Sequence, residues 1–480
     1  MNNRNKFLLF FAVCLLSLQS CKKDYFDLND NPNQVTVIPI TSLLSTATHK
    51  AGINNYNVAS VTNPYVQYTA NPTASASTDT YEEINTSSTF DALYYAMADT
   101  YDLRQLALQQ NSSEYLGVAY VLLAYQLGLS TDLWGDSPFS TAFVPTNLTP
   151  SYDKQEDLYK TGMTLLDSAI FQLAKTDATL KLSTTNDRIY GAPMATAATQ
   201  RTKWLQFAYA LKARLLLKVS KTASYSPTAV LAAVDNSFKS NADDAGTTGF
   251  TIRNPWANVS VLNAGLTLGG WLSEQFIDQL NGVSTGIFDP RIRKLTEPTV
   301  TGTWIGTTNG AGNRPPGNNT VKDENYISSV SPWSGTAAPV YIVTYAELKF
   351  IEAEAALAAA NPTRAYTAYL AGINANMDKL GVSVTDAERV AYLAAVSVGS
   401  GSLTRAMIMR EKYVATYLNP EAWNDARRFD YQYKDFTLPV NAKLPTYIRR
   451  LAWAVDERSK NGKNVPAAVP LTEKLWWDRP

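Results

Sequence analysis

The chain of 480 residues contains one histidine and two cysteines, and this scarcity limits the chemistry open to it. The single histidine, His49, excludes a multi-histidine metal site and argues against a Ser-His-Asp triad. Both cysteines, Cys14 and Cys21, lie near the N-terminus, which excludes cysteine zinc sites, iron–sulfur clusters and an internal disulfide framework. We therefore expect neither a metal centre nor a cofactor.

An excess of charge of either sign is also missing, since the chain has 42 lysines and arginines and 42 acidic residues. Without a basic excess to neutralise phosphates, nucleic-acid binding is not expected. With 45% hydrophobic and 18% charged residues, the chain has an ordinary globular composition and can bury a large core. Tyrosine (27) outnumbers phenylalanine (16), and an aromatic ring with a polar edge suits a wet surface that stacks on a ligand.

Long apolar runs are absent except at the N-terminus, where residues 7–18 follow a basic segment. This run is too short to span a bilayer and is typical of a signal peptide. It leads to Leu18, Ser20 and Cys21, which resemble a bacterial lipobox with a lipidated cysteine. We predict that residues 1–20 are a lipoprotein signal peptide, that Cys21 carries the lipid, and that residues 21–40 are a tether.

The remaining chain shows apolar residues at three- and four-residue steps, which indicates paired helices. The pairs are predicted at 41–52 with 88–110, 113–129 with 152–174, 202–220 with 227–239, and 343–360 with 363–380. Two more helices are expected at 402–418 and 421–428. Four such units predict a mostly α fold of tetratricopeptide-like helix-turn-helix units, an α-α superhelix of irregular spacing.

Residues 241–342 differ from the rest of the chain, because they hold 13 of the 24 glycines and four of the ten tryptophans. One helix is expected at 270–281, and the remainder is predicted to be loop with short strands. A loop region of this length inside a compact body is usually functional. We therefore predict a single domain over residues 41–480 with a loop-rich, ligand-facing insert.

Four segments carry a resemblance to a known family. They are residues 132–139 (DLWGDSPF), 344–355 (TYAELKFIEAEA), 421–429 (EAWNDARRF) and 471–478 (LTEKLWWD). In type and order these resemble motifs of SusD-like (SusD/RagB) proteins, and the resemblance covers residues 21–480. SusD-like proteins are nutrient-binding outer-membrane lipoproteins of Bacteroidetes.

The resemblance implies a protein without catalytic activity, anchored by lipid to the outer membrane and exposed at the cell surface. It implies a glycan or peptide ligand, which the protein delivers to a SusC-like TonB-dependent outer-membrane transporter. Lys22, Lys23 and Asp24 resemble the short charged segment that directs such lipoproteins to the surface.

A secreted helical glycoside hydrolase is the alternative, since Glu347, Glu352 and Glu354 crowd one predicted helix. Hydrolysis of a glycoside needs two acids that face the same sugar. Glu347 and Glu354 share a helix face, whereas Glu352 lies elsewhere, and a role in packing and ion pairs is the favoured interpretation. Arg427 and Arg428 are likewise expected to brace a buried turn.

Ligand-binding candidates are aromatic and amide side chains in loops, because sugars stack on rings and bond to polar groups. Trp304 and Trp333 lie in segments rich in Gly, Thr and Asn, and we expect their rings to be exposed. The further candidates are Trp256 and Trp271 in the insert, and Asn63, Tyr65, Tyr68 and Tyr81 in the first long loop. Trp204, Trp423 and Trp453 are expected in the core.

Overall fold

Helices pack side by side along most of the chain in the computed structural model, which describes residues 38–191, 196–264, 270–314 and 323–479. Residues Ile40–Pro480 form one compact unit. The predicted signal peptide and Cys21 lie outside the described residues, as does the tether up to residue 37.

The first half of the fold is a succession of helices in which each packs on the next. They are α1 (Ile40–Thr62), α2 (Ser87–Gln109), α3 (Ser113–Trp134), α4 (Gln155–Ala174), α5 (Ala197–Lys218) and α6 (Pro227–Asp235). Strands β1 (Thr69–Ala70), β2 (Ser137–Pro138) and β3 (Tyr152–Asp153) lie in the connections. The proline that begins α6 has a fixed φ that suits the first turn, and the side chain of Ser226 caps the helix by accepting from the Ala229 amide.

The insert contains short elements joined by loops, with three helices among its described residues where the sequence pattern predicts one. These are β4 (Ala245–Thr247), α7 (Pro255–Ala264), β5 (Trp271–Leu272), α8 (Glu274–Asn281), α9 (Ile292–Leu295) and β6 (Val340–Val343). Three antiparallel pairs form among the described strands: β1 with β5, β2 with β3, and β4 with β6. The insert is therefore joined to the first loop by β1–β5 and closed on itself by β4–β6.

The second half returns to helical packing. Its helices are α10 (Tyr345–Ala358), α11 (Pro362–Lys379), α12 (Ala387–Val396), α13 (Arg405–Ala415), α14 (Glu421–Arg428) and α15 (Val455–Lys460). Helix α10 packs against α11, α13, α6 and α5, so it connects the two halves. The expected mostly α fold of tetratricopeptide-like helix pairs is confirmed.

Helix α1 is about twice as long as its sequence pattern predicts, since it continues to Thr62 instead of ending near residue 52. The extra turns contain asparagines, which usually weaken a helix. Here Asn54 donates to Gln126 Oε1 at 3.0 Å and Asn55 donates to the Tyr125 hydroxyl at 2.9 Å. These contacts with α3 satisfy polar groups that local propensity would leave exposed, and they extend the helix.

Helix α3 is apolar along its length, and nearly all of its residues are buried inside the protein. It is the one helix among the described residues that is long and apolar enough to cross a membrane. Neighbouring helices cover it on several sides, so its composition is that of a central core helix.

Buried ion pairs connect α3, α5, α10 and α14 at the centre of the molecule. Lys218 at the end of α5 lies 2.6 Å from Asp132 and 3.0 Å from Glu421. On the same helix Arg214 holds Glu347 through two hydrogen bonds of 2.6 and 2.8 Å. Burial alone would raise the pKa of Glu421, but Lys218 and Arg214 hold that pKa below its ordinary value.

A second group of buried ions joins α10, α13 and α14. Arg428 lies 2.7 Å from both Glu354 and Asp425, and Lys412 lies 2.7 Å from Asp425. Glu352 faces the other way and pairs with Arg364 at 2.8 Å. The expected structural role of the α10 glutamates and of Arg428 is confirmed.

Removing one partner from this second group should destabilise the fold strongly. Arg428→Met leaves Glu354 buried without its cation and leaves Asp425 with Lys412 alone, and we expect the free energy of unfolding to fall by about 3–5 kcal/mol. Arg458→Met is the matched control, because its pair with Glu83 at 2.9 Å is about half exposed. An exposed pair contributes about 0–1 kcal/mol. Urea unfolding of both variants measures the difference, and equal losses would contradict the assignment.

Candidate ligand-binding site

A cavity of about 200 Å³ opens where α1 ends and the first long loop meets the insert. Its wall combines three parts of the chain that are distant in sequence. It is lined by Tyr56, Ser60, Asn63, Pro64, Thr69, Ala70, Asn71, Thr78, Asp79, Trp256, Val259 and Gly270.

The short β1–β5 ladder brings these parts together. Thr69 pairs with Leu272 and Ala70 pairs with Trp271 in antiparallel register. The ladder is extended by the Ser273 amide, which donates to the Tyr68 carbonyl at 3.1 Å. Backbone hydrogen bonds therefore hold the insert against the loop that follows α1, and the cavity lies beside this joint.

Asn63 has an amide side chain that is buried but unpartnered. The residue is 1% exposed, and neither its Nδ2 nor its Oδ1 bonds to any described residue. A buried polar group without a partner costs about 1–3 kcal/mol. An unpartnered amide in the wall of a cavity is consequently an indication that a polar ligand or water bonds to it.

Asp79 presents one free carboxylate oxygen at the same place. Its Oδ2 accepts from the Asn71 amide at 2.8 Å and from the Gly310 amide at 3.2 Å. Its Oδ1 is buried without a hydrogen bond to the described chain. Burial raises the pKa of Asp79 to about 6, although these hydrogen bonds act in the opposite direction.

Gly310 can approach Asp79 only because it lacks a side chain. Its φ is +81°, and a Cβ at this position would lie 2.0 Å from the Val440 carbonyl oxygen. A left-handed backbone in so narrow a gap requires glycine. The loop thus preorganises the backbone amide of Gly310 that donates to Asp79 Oδ2.

Aromatic rings form the opposite wall. Tyr56 and Trp256 meet edge to face, with ring centroids 4.7 Å apart. Trp256 is held by Asn254, whose Oδ1 accepts from the Trp256 amide at 2.7 Å. The Tyr56 hydroxyl is protonated at neutral pH, since its ordinary pKa is 10.0 and burial raises that pKa further, so it can donate to a ligand.

The combination of an amide, a carboxylate oxygen and two rings suits a ligand with both hydroxyl groups and apolar faces. The cavity of about 200 Å³ is smaller than the roughly 300–1,000 Å³ that bury a drug-sized ligand. It has room for one unit of a longer chain, with the remaining units outside. Among the described residues there is no cluster of three metal-ligating side chains.

Two of the predicted site residues, Asn63 and Trp256, line this cavity. Trp256 is only 4% exposed, so it does not present the exposed stacking face that its loop context predicts. Whether these residues bind a ligand stays a prediction.

Four other candidates are buried and do not line the cavity. Tyr65, Tyr68, Tyr81 and Trp271 are at most 1% exposed. Tyr68 stacks on Tyr413 at 4.5 Å, and Tyr65 packs against Tyr81 at 5.8 Å. The three tyrosines of the first loop and Trp271 of the insert are therefore part of the core, and that they bind a ligand stays a prediction.

The two favoured tryptophans, Trp304 and Trp333, lie outside this cavity. Trp333 is 5% exposed and packs against Tyr341 at 5.5 Å, so its predicted exposure is wrong. Trp304 is half-buried, and the Arg293 guanidinium lies 6.0 Å from its ring. A segment of Gly, Thr and Asn has few large apolar side chains, so the tryptophans supply the apolar surface that forms the core of the insert.

Sequence reasoning did not select Tyr56 and Asp79. Tyr56 lies in the part of α1 that the apolar pattern does not predict. Asp79 lies in a run of polar residues with no distinguishing neighbour. Their importance comes from the unsatisfied groups and rings that converge at one point, which only the folded chain shows.

Comparison with known proteins agrees with this architecture. Residues 32–446 match the SusD-like family described as starch-binding and associating with the outer membrane. The match spans most of the chain, and the protein belongs to the SusD-like family. Among curated proteins, none matches this sequence.

Solved SusD-like structures share the fold. A chitin-binding SusD homologue from Flavobacterium johnsoniae has a TM-score of 0.75 at 20% identity, covering 92% of this chain and 98% of its own. A SusD homologue from Bacteroides ovatus has a TM-score of 0.75 at 18% identity, covering 92% and 99%. A SusD/RagB family protein from Bacteroides thetaiotaomicron has a TM-score of 0.70 at 21% identity, covering 92% and 99%.

Proposed function

We propose that this protein is a non-catalytic surface lipoprotein that binds a glycan nutrient, or alternatively a peptide, at the cavity beside α1. It passes the ligand to a SusC-like TonB-dependent transporter in the outer membrane. The observation that carries the binding role is the Asn63 amide, which is buried in a cavity with both of its polar atoms unpartnered. Membership of a family described as starch-binding and the chitin-binding relative favour a glycan.

A binding role without hydrolysis is supported by the ion pairs that the α10 acids form. Glu347 and Glu354 are held by arginines, and Glu352 is held by Arg364. Asp79 is the one carboxylate that lines the cavity, whereas glycoside hydrolysis needs a pair. The alternative of a secreted hydrolase therefore lacks a second acid among the described lining residues.

Asn63→Ala should weaken glycan binding without weakening the fold. Losing the amide removes a donor and an acceptor for ligand hydroxyls, and we expect at least a tenfold loss of affinity, about 1.4 kcal/mol. Calorimetric titration with chito- and malto-oligosaccharides, with a mixed peptide panel alongside, measures the change.

Thermal melts complete this test. The melting temperature of Asn63→Ala should be unchanged or raised, because the variant removes a buried unpaired amide. Asn236→Ala, which removes an exposed amide that donates to the Ala232 carbonyl at the end of α6, is the control and should leave affinity unchanged with at most a small loss of stability. Full affinity in the Asn63 variant would place the ligand elsewhere.

Binding should also depend on pH through Asp79. With a pKa of about 6, the carboxylate is ionised at pH 7.5 and largely protonated at pH 5. Since the ionised form accepts the stronger hydrogen bond from a ligand hydroxyl, affinity should rise between pH 5 and 7 and then level off. Asp79→Asn should flatten this profile, and identical profiles for the two proteins would contradict the role.

The expected pH dependence of binding through Asp79 is not an effect of unfolding. Its folded-state pKa is raised above the ordinary value of 3.8, so the folded protein holds this proton more tightly than the unfolded chain. The group therefore favours folding more at pH 4 than at pH 7. Weaker binding at pH 5 would come from the loss of the acceptor and not from loss of the fold.

Anchoring should depend on Cys21. A lipid-modified cysteine holds a protein at the membrane through its acyl chains, several of which are needed for stable attachment. Cys21→Ala should release the protein from the membrane fraction after a high-salt wash, as an immunoblot of the fractions would show. Cys14→Ala is the matched control, because Cys14 lies in the predicted signal peptide and should leave anchoring intact. A Cys21 variant that stays in the membrane would refute this anchor.

A further inference from the structure

A second cavity, of about 410 Å³, lies between α8, α11, α12 and α13. None of its described lining residues is shared with the cavity beside α1. It is lined by Gln279, Thr285, Gly286, Ile287, Tyr369, Tyr392, Ala395, Val396, Val398, Met407, Arg410 and Glu411.

The cavity contains a cation that the described chain leaves unpaired. The guanidinium of Arg410 makes no hydrogen bond or ion pair with any described residue, and its Nε is buried without a partner. A guanidinium has five N–H donors in a planar fork that matches a carboxylate. An arginine in a cavity that pairs with no acid therefore points to an anionic ligand group.

Two more polar groups face the same space. Gln279 is 5% exposed, and its Nε2 donates to the Arg410 carbonyl at 2.8 Å, while its Oε1 has no partner in the described structure. Tyr369 is 2% exposed, and burial raises its pKa well above the ordinary value, so its hydroxyl remains a donor. The cavity thus offers one acceptor beside two donor groups.

The one acid in the lining, Glu411, is already neutralised. Its Oε1 accepts from the Tyr392 hydroxyl at 2.5 Å, and its Oε2 accepts from Arg291 at 2.6 Å. Arg291 is in turn held by Asp289. Glu411 is therefore fixed in its own network and does not pair with Arg410.

The rest of the wall is mainly aliphatic, from Ile287, Val396, Val398 and Met407. Such a wall binds apolar side chains by removing them from water. Together with an unpaired arginine and a lone acceptor, this favours a ligand with a carboxylate, one N–H donor and an apolar side chain.

We propose that this cavity binds the carboxyl end of an apolar peptide. The terminal carboxylate pairs with Arg410 and accepts from Tyr369, the last peptide N–H donates to Gln279 Oε1, and the terminal side chain packs on the aliphatic wall. This site is separate from the cavity beside α1, and the inference does not depend on the proposed function.

The test is a calorimetric titration of the full mature protein with N-acetyl-Ala-Ala-Leu bearing a free carboxylate. We expect saturable binding, and at least tenfold weaker binding of the same peptide as its C-terminal amide. Arg410→Met keeps the aliphatic stem, removes the charge, and should lower affinity at least tenfold, while Arg410→Lys should give an intermediate loss. Arg405→Gln removes an exposed charge from the same helix and should have no effect.

Equal affinity for the acid and the amide, or full binding by Arg410→Met, would overturn the proposal. So would preferential binding of a galacturonate oligomer, because the site would then recognise an acidic sugar. A peptide with a free carboxyl end could be a nutrient peptide or the C-terminus of a partner protein. Fusing the Ala-Ala-Leu sequence to the end of a folded carrier protein distinguishes these two sources. Retained binding indicates the end of a partner protein, and binding of the free peptide alone indicates a nutrient peptide; both agree with the proposed chemistry.

Discussion

Buried charge at the centre of the helical body is the constraint on which the other features depend. Asp132 and Glu421 share Lys218, while Glu354 and Asp425 share Arg428, and all of these side chains are nearly inaccessible to water. Charges removed from water are stable only with partners in good geometry. The relative positions of α3, α5, α10, α13 and α14 are consequently set by the need to pair each ion.

This network accounts for the motifs that carry the family resemblance. Each of the four motif segments places at least one acid or arginine in it or next to it; the last does so through Asp478, which lies 3.0 Å from Arg449. Arg427 contributes differently, since it donates to the carbonyls of Asp132 and Arg449 at 2.8 Å and lies 3.6 Å from the Trp423 ring centre. The motifs are thus signatures of the scaffold, because their charged side chains form the ion pairs that hold the helices together.

The cavity beside α1 depends on the same scaffold but contains none of the motif residues among its described lining. Its position follows from α1, which presents Tyr56 and ends just before Asn63, and from the two-residue ladder that attaches the insert. A rigid helical frame therefore carries a site made from loops, so the site can vary while the frame is kept. The cavity around Arg410 differs in kind, because helices form most of its wall.

Sequence patterns were sufficient for the fold class, the helix pairs, the structural role of Glu354 and Arg428, and the family. Helical periodicity and charged residues at fixed spacing are local signals, and they can be recognised without knowledge of the rest of the chain. The burial of Trp333 and Tyr68, the extension of α1 through Asn54, and the meeting of Asp79 with Asn63 were decided by the folded chain. These features depend on contacts between segments far apart in sequence, and a residue's own neighbours do not reveal whether its ring is covered or its amide lacks a partner.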